Sequence, residues 1–302
     1  MDILSMITDA YGVCNLRWPG VPRSVAQGRS RDRSFCCVRQ APPRSGQIES
    51  QRDSVLVTID AVSAPSEART ALITGAGSGI GRAFAVELSR RGYRVYLLDI
   101  DDEAIAGLAT ELGGADAMQG DVADSAVMEG AAASVGSVDL LCLNAGVVGS
   151  LTGAAWEASP AEWERVLGIN LFGVVNGLRA FVPLMLEQGS PSQIIVTASL
   201  AGAATWPGGG PYAASKHAVL AVAEQAALEL ADTNIDVTVL CPALVKTAMS
   251  DSGEDPHDVA VEALQAVDEQ RFAVVPSEWR DAVERRGLDL ASGRRPLPPR
   301  PS

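Results

Sequence analysis

Lysine and histidine are the scarcest functional side chains of this 302-residue chain. The sequence contains only two lysines, Lys216 and Lys246, and two histidines, His217 and His257, while arginine supplies the other basic side chains. Two histidines so far apart, without cysteines at ligand spacing, do not make a convincing zinc site, so no metal is expected. The five cysteines are an odd number without paired spacing and predict no disulfide framework.

Long apolar runs and an excess of positive charge are absent as well. No stretch reaches the roughly 18 residues of a membrane span. The most apolar run, residues 171–186, is interrupted by Asn176, Arg179 and Pro183, which favours a core or interface helix. The formal net charge of −13 argues against nucleic acid or an anionic membrane as partner. The amino terminus carries Asp2 where a signal peptide has a positive charge, so a cytoplasmic location is expected.

The first 64 residues differ in composition from the rest of the chain. They hold eight arginines against six acidic residues, lack sustained periodicity and include the linker-like Pro42–Gly46. They are predicted to be either a disordered extension or the product of a start codon placed too early, with the true start near Val57. One folded domain is expected over residues 65–290, followed by a loose, proline- and arginine-rich tail over residues 291–302.

From residue 69 onward, short apolar and β-branched runs alternate with helix-like segments. The runs are Thr70–Thr74, Tyr93–Asp99, Val138–Leu143, Ile194–Ser199 and Ile235–Leu240. Ser159, followed by Pro160 and then Glu162, predicts a helix that begins with a capping box. The alternation predicts an α/β fold with one doubly wound parallel sheet and helices on both faces.

A glycine-rich turn follows the first predicted strand and precedes a helix. Gly75, Gly79 and Gly81 are its glycines, and Ser78 and Ile80 lie between them. This order of strand, glycine turn and helix places backbone N–H groups and a helix N-terminus around a phosphate. The spacing differs from the commoner Gly-x-Gly-x-x-Gly pattern of dinucleotide sites.

Asp99 decides which dinucleotide is expected. It ends the second predicted strand about twenty residues after the glycine turn, where a carboxylate accepts hydrogen bonds from the adenosine ribose hydroxyls. The same carboxylate repels a 2′-phosphate, and Asp101 and Asp102 add to the repulsion. NAD is therefore predicted rather than NADP.

Tyr212 and Lys216 are four residues apart, so on a helix they share one face. An ammonium beside a phenol favours the ionised phenol, which lets a tyrosine act as a general acid/base near neutral pH. Ser199 lies thirteen residues before Tyr212, at the carboxyl end of a predicted buried strand. Together these three side chains predict a site for proton transfer.

These motifs, in this order, resemble the short-chain dehydrogenase/reductase family, whose pattern is Thr-Gly-x-x-x-Gly-x-Gly with a later serine and Tyr-x-x-x-Lys. The resemblance covers residues 69–275 and implies a Rossmann-like, NAD-dependent oxidoreductase. It also implies four catalytic residues: Asn170, Ser199, Tyr212 and Lys216. In the family, the tyrosine exchanges the proton of an alcohol or ketone, the serine holds the substrate oxygen, and the asparagine carries a water relay from the lysine.

The resemblance also implies further contacts with the cofactor. Besides the glycine turn and Asp99, they are Asp121, Val122, Asn144, Ala145, Gly146, Val245, Thr247, Tyr212 and Lys216. Asp121 would touch the adenine, and Val122 would pack near it. The family's Pro-Gly-x-x-x-Thr is matched by residues 242–247, except that Ala243 replaces the glycine and leaves the turn less free.

The loops after the fourth, fifth and sixth strands would wall the substrate pocket. They carry few charges and supply Val147, Val148, Leu151, Trp206, Pro207, Leu244 and Met249. The expected substrate is a largely apolar secondary alcohol or ketone that is alicyclic, terpenoid or steroid-like. Two alternatives stay open: a dinucleotide-binding sensor of the same fold without turnover, and a 3-oxoacyl thioester reductase. A nucleotide-sugar epimerase or dehydratase is disfavoured because little chain follows Lys246.

Two predicted helices, residues 170–187 and 212–231, carry apolar surfaces broader than packing on a sheet requires. In the resembling family these two helices meet their symmetry mates, so a homodimer is expected. The family's frequent Gly-x-x-x-x-Val-Asp-Gly-Gly ending is replaced by Arg271–Pro276, which leaves a tetramer open.

Overall fold

The computed structural model describes residues 68–150, 154–247 and 250–302. The predictions made for residues 1–64, and for Leu151 and Met249 in the pocket wall, lie outside these residues.

The described residues form a parallel sheet of seven strands in the order β3-β2-β1-β4-β5-β6-β7. The strands are β1 (Thr70–Thr74), β2 (Arg94–Asp99), β3 (Asp116–Gln119), β4 (Leu140–Leu143), β5 (Ser192–Thr197), β6 (Ile235–Leu240) and β7 (Ala273–Val274). The order reverses between β1 and β4, which are neighbours paired through Ile73 and Cys142. This reversal opens a crevice at the carboxyl ends of the strands, the usual place for a ligand in such sheets.

Helices cover both faces of the sheet, as expected. They are α1 (Gly79–Arg90), α2 (Asp102–Glu111), α3 (Ser125–Val135), α4 (Pro160–Leu167), α5 (Gly173–Gln188), α6 (Leu200–Ala203), α7 (Gly210–Glu229), α8 (Pro256–Asp268) and α9 (Arg280–Ala291). A π-helical turn, Gly168–Phe172, joins α4 to α5, and two 3₁₀ turns occupy Ala155–Glu157 and Ser277–Trp279. The predicted doubly wound α/β fold is confirmed.

Strand alternation explains the two cores. Ala71 and Ile73 of β1 pack with α1, α2 and α8 on one face, while Leu72 between them packs with α3, α5 and α7 on the other. Both cores are rich in aliphatic side chains, because strands buried on both faces carry apolar residues at every position. The sheet is therefore fixed from both sides, and its strand ends form a rigid platform for the site.

Some predicted boundaries need correction. The second strand begins at Arg94 rather than Tyr93, the fourth at Leu140, and the fifth runs from Ser192 to Thr197, so Ser199 follows the strand instead of ending it. The short β3 and β7 lie at the sheet edges, where few apolar residues are needed, and the sequence pattern does not single them out.

The predicted capping box is only half formed. The Ser159 hydroxyl accepts a hydrogen bond from the Glu162 amide at 3.2 Å, so the helix begins where expected. The Glu162 carboxylate does not return to Ser159 but accepts a hydrogen bond from the Ser150 amide. It therefore ties the loop after β4 to the start of α4.

One helical run in the described part of the chain, Pro160–Gln188, is long and apolar enough by composition to cross a membrane, with a mean hydropathy of 1.5. Core helices of soluble proteins meet the same criterion. In this fold the run is made of α4, the π turn and α5, and Phe181 and Met185 of α5 are buried in the core.

Candidate active site

The carboxyl ends of β1, β4 and β5 are tied together by one asparagine. The Thr74 hydroxyl oxygen accepts hydrogen bonds from the amides of Asn144 (2.9 Å) and Ala145 (3.1 Å). The Asn144 side chain donates to the Thr74 carbonyl at 3.2 Å and accepts from the Thr197 hydroxyl at 3.1 Å. Asn144 thus lies in the predicted crevice, where its side chain links three strand ends.

Two glycines of the turn, Gly75 and Gly81, have no room for a side chain. Gly75 has φ +68°, and a Cβ built on it would lie 2.8 Å from the Ala145 Cα. A Cβ on Gly81 would lie 2.0 Å from the Gly75 carbonyl oxygen. Ser78 precedes α1, and its side chain makes no capping hydrogen bond to the first turn of that helix. Bare backbone and a helix start without a side-chain cap fit the phosphates of a dinucleotide.

The predicted residues on either side of this turn approach it. The Asp99 carboxylate accepts hydrogen bonds from the amides of Gly77 (2.8 Å) and Asp101 (3.1 Å), so it lies against the turn. Thr247 lies on another side, with its Cγ2 at 2.8 Å from a Cβ built on Gly79. Asp99 and Thr247 therefore both lie against the glycine turn.

The remaining predicted cofactor residues divide by exposure. Asp121 is exposed and accepts a hydrogen bond from the Ala123 amide at 2.9 Å. Val122 and Val245 are buried, and Val122 packs against Gly173 of α5. Ile80 is partly buried against the core beside α1. The Val122 side chain is therefore a core residue, which leaves only its backbone to face a ligand.

The structure brings Ser199 and Tyr212 together. Ser199 is buried just after β5, where its hydroxyl accepts a hydrogen bond from the Ala201 amide at 3.1 Å and caps the short helix α6. Tyr212 is in the first turn of α7. Burial raises the pKa of the Tyr212 phenol, and a hydrogen bond with the Ser199 side chain acts in the opposite direction.

Lys216 differs from the prediction in what it does to the phenol. Its Nζ donates a 2.8 Å hydrogen bond to the Thr197 carbonyl, and its side chain is buried. Burial lowers the pKa of Lys216 to about 8, with an opposing influence from the nearby Cys241 thiol. In the protein alone the net shift of the Tyr212 pKa is upward, opposite to the expected direction, because burial of the phenol dominates.

Asn170 lies in the π turn and is completely buried. Its Oδ1 accepts from the Val147 amide at 2.8 Å, and its Nδ2 donates to the Val147 carbonyl and to the Ser215 hydroxyl, both at 2.9 Å. A Cβ built on Gly146 would lie 3.3 Å from Asn170 Oδ1 and 3.4 Å from Lys216 Nζ. The structure therefore brings Asn170 and Lys216 to the same backbone position.

Two features of this cluster are missing from the sequence predictions. The π turn is one, and such turns are frequent at functional sites. The other is Ser215, a buried hydroxyl between Tyr212 and Lys216. The available signal was a small polar residue inside the motif-bearing helix.

An apolar cavity of about 590 Å³ lies beside α7, and neither Ser199 nor Tyr212 is among the residues that line it. Its walls include Trp156, Trp163, Trp206, Pro207, Ala213, Ala214 and His217. Trp206 and Pro207 were predicted pocket residues, whereas Trp156 and Trp163 were missed because they precede and open α4 rather than following a strand directly. Leu244 is exposed, while Val147 and Val148 are partly buried; none of the three lines this cavity.

Comparison with known proteins agrees with this geometry. The sequence profile of the family described as short chain dehydrogenase matches residues 69–257. A 1-deoxy-11-beta-hydroxypentalenate dehydrogenase of Streptomyces avermitilis is 38% identical over 213 residues, covering 68% of this chain and 79% of that protein. A 2-(R)-hydroxypropyl-CoM dehydrogenase of Xanthobacter autotrophicus is 31% identical over 225 residues, covering 71% and 89%.

A solved structure matches as well. The crystal structure of a short chain dehydrogenase/reductase from Burkholderia phymatum in complex with NAD has a TM-score of 0.73 and 33% sequence identity. The match covers 78% of this chain and 98% of that one. Sequence and fold therefore point to the same group of proteins.

Proposed function

We propose a specific reaction for this chain, which belongs to the short-chain dehydrogenase/reductase family. The chain is an oxidoreductase, and its proposed reaction is the NAD-dependent interconversion of a secondary alcohol and a ketone on a largely apolar small molecule. The observation that carries the proposal is the grouping of four side chains at the end of β5: the Ser199 hydroxyl beside the Tyr212 phenol, Lys216 hydrogen-bonded to the Thr197 carbonyl, and Asn170 hydrogen-bonded to Ser215.

Tyr212 is the proposed general acid/base. Because burial raises the pKa of its phenol, the protonated form prevails at neutral pH, and that form can donate to the oxygen of a ketone. In the reverse direction the phenolate takes the proton of the alcohol. Ser199, hydrogen-bonded to the phenol, would hold the same substrate oxygen. The nicotinamide supplies or accepts the hydride when it is bound.

Lys216 and Asn170 are the proposed supporting groups for this proton transfer. Lys216 has a pKa of about 8, so its proton is exchangeable near neutral pH. Its Nζ and the Asn170 Oδ1 approach the same backbone position, Gly146. The proposed relay exchanges protons between Lys216 and solvent past this position, and Asn170 contributes by its placement there, because both donors of its side chain are hydrogen-bonded within the protein.

NAD is the proposed cofactor in preference to NADP. The Asp99 carboxylate lies against the amide of Gly77, at the end of the glycine turn where the adenosine ribose would lie. It can accept hydrogen bonds from ribose hydroxyls, and its charge opposes a phosphate there. The Asp101 carboxylate is held at the start of α2, where it accepts from the Ala104 amide at 3.0 Å.

The proposed substrate body is alicyclic and terpenoid-like. The cavity beside α7 is walled by three tryptophans, which match a rigid apolar ring system better than a flexible acyl chain. The hydroxypentalenate dehydrogenase is a relative whose name indicates such a substrate. Among the described residues that line the cavity, His217 is the only one with an ionisable side chain.

A cytoplasmic homodimer is the proposed working form. Exposed apolar side chains lie along the π turn, α5 and α7, namely Phe172, Leu186 and Leu228, with 53%, 47% and 78% of their surface accessible. Burying them against a second copy would remove this surface from water. Light scattering on a size-exclusion column tests the dimer, and a monomeric mass at micromolar concentration with activity retained contradicts it.

The reaction is tested with purified protein and a panel of alcohols. Alicyclic and terpenoid secondary alcohols are compared with 3-hydroxyacyl thioesters, each with NAD and with NADP, by the absorbance of the reduced cofactor. Turnover of an alicyclic alcohol with NAD is expected. A preference for the thioester would favour the acyl reductase, and NAD binding without turnover of any alcohol would favour a sensor.

A further inference from the structure

Ser215 is buried in the middle of the proposed catalytic helix, between Tyr212 and Lys216, with no exposed surface. Its hydroxyl makes two hydrogen bonds. It donates to the Tyr212 carbonyl at 2.7 Å and accepts from Asn170 Nδ2 at 2.9 Å. One oxygen atom therefore joins the backbone of the proposed general acid/base to the amide in the π turn.

The direction of these bonds is fixed. Since the Ser215 proton is directed to the Tyr212 carbonyl, the hydroxyl offers only a lone pair to Asn170. The two Nδ2 protons of Asn170 are then directed to Ser215 and the Val147 carbonyl, and Oδ1 accepts from the Val147 amide. Every donor of this amide has a protein acceptor, so the Asn170 side chain is a link between elements.

The Asn170 amide that Ser215 holds lies close to the Lys216 ammonium. Asn170 Oδ1 and Lys216 Nζ flank Gly146, at 3.3 and 3.4 Å from a Cβ built there. Loss of the Ser215 acceptor leaves one buried Nδ2 proton without a partner, and the amide would have to move to satisfy it. Such a movement would shift the π turn and the loop at Val147 against α7.

We propose that Ser215 is a positioning residue, which holds Asn170 against α7 and thereby fixes the place of the Tyr212 hydroxyl relative to Ser199. Its importance for turnover rests on the function proposed above. The link itself does not, because it concerns the protein without substrate. Ser215 touches neither substrate nor cofactor in this account.

Hydrogen exchange of the protein alone tests the link. Ser215→Ala is compared with Ser192→Ala, which removes another buried hydroxyl, one that donates to the Ser190 carbonyl at 3.1 Å at the opposite end of β5. We expect backbone exchange in residues 168–172 to accelerate by about tenfold in Ser215→Ala only, because local opening becomes easier. Equal exchange in the two variants would overturn the proposal.

The pH profile tests the positioning role. In Ser215→Ala we expect kcat to fall by at least about tenfold, as for a misplaced catalytic group, with the affinity for NAD unchanged. The apparent pKa of the acid/base should rise, since the Ser199 bond that lowers the pKa of Tyr212 is weakened. An unchanged profile, or one shifted equally by Ser192→Ala, would overturn this role.

Ser215→Cys covers the case in which the alanine variant does not fold. A thiol at the same position is a weak donor and acceptor, so its exchange rate and pH profile should lie between those of the wild type and the alanine variant. A cysteine variant identical to the wild type in both would contradict the proposal. If the wild type turns over no alcohol, the proposed function fails, while the exchange experiment still decides the link.

Discussion

The Lys216 ammonium donates a 2.8 Å hydrogen bond to the carbonyl oxygen of Thr197, the last residue of β5. The bond ties the proposed catalytic helix to the strand that leads into Ser199. It also holds a nearly buried cation in a place where desolvation lowers the pKa of that lysine to about 8. The geometry therefore makes Lys216 an exchangeable proton donor and costs folding free energy.

The pH dependence of stability should reveal this cost. Lys216 has a pKa of about 8 in the folded protein and about 10.5 when unfolded, so the unfolded state binds more protons between these values. Its contribution to the free energy of unfolding is therefore fully present above pH 10.5 and is lost as the pH falls through 8. As the pH rises through this window, the free energy of unfolding of the wild type should increase by about 3 kcal/mol relative to that of Lys216→Met.

Denaturant unfolding from pH 7.5 to 10.5 measures this difference. Lys246→Met is the matched control, because Lys246 is the other lysine of the chain and is exposed. The free energy of unfolding of this control should change with pH in parallel with that of the wild type. A constant difference between wild type and Lys216→Met across the window would show that the buried lysine titrates normally.

Asp99→Asn should relax the choice of cofactor. The amide oxygen can still accept from the Gly77 amide, while the negative charge that opposes a 2′-phosphate is lost. The ratio of kcat/KM for NAD over NADP is expected to fall by about tenfold, or roughly 1.4 kcal/mol. Asp101→Asn, a change at the α2 cap, should leave the ratio unaltered. A wild type that uses NADP better than NAD would contradict the argument.

Gly81→Ala should abolish NAD binding. Its Cβ would lie 2.0 Å from the Gly75 carbonyl oxygen and 2.7 Å from Asn144 Nδ2, so the glycine turn must open. We expect calorimetry to show at least a hundredfold weaker binding, about 3 kcal/mol. Gly130→Ala in α3 is the control, since a Cβ there meets nothing within 4 Å. Unimpaired binding by Gly81→Ala would rule out the turn as the cofactor site.

The features that could be predicted from the sequence are those that depend on residues close together in the chain. The order of strand, glycine turn and helix from residue 70 follows from residue type and period, and the structure confirms the fold. The family resemblance is likewise confirmed by the profile over residues 69–257. The placement of Asp99 against Gly77 follows from the end of a strand beside a turn, so it too was accessible from the sequence.

Long-range contacts decide what could not be predicted. The Glu162 carboxylate accepts a hydrogen bond from the Ser150 amide instead of capping the start of α4, because tertiary packing brings the loop after β4 to that position. The Asn170 side chain in the π turn forms its hydrogen bonds with Val147 and Ser215, which are distant in sequence. The pKa of Tyr212 depends on burial, and a spacing of four residues to Lys216 contains no information about burial.

A comparison of wild type with Tyr212→Phe tests whether Tyr212 is the general acid/base. With NAD and an alcohol turned over by the wild type, the rate of reduced-cofactor formation is followed in a single turnover, and NAD affinity is measured by calorimetry. NAD affinity should be unchanged and the rate should fall by about 10²–10⁴-fold, because only the titrating hydroxyl is lost. A variant that keeps more than about a hundredth of the wild-type rate would contradict Tyr212 as the general acid/base.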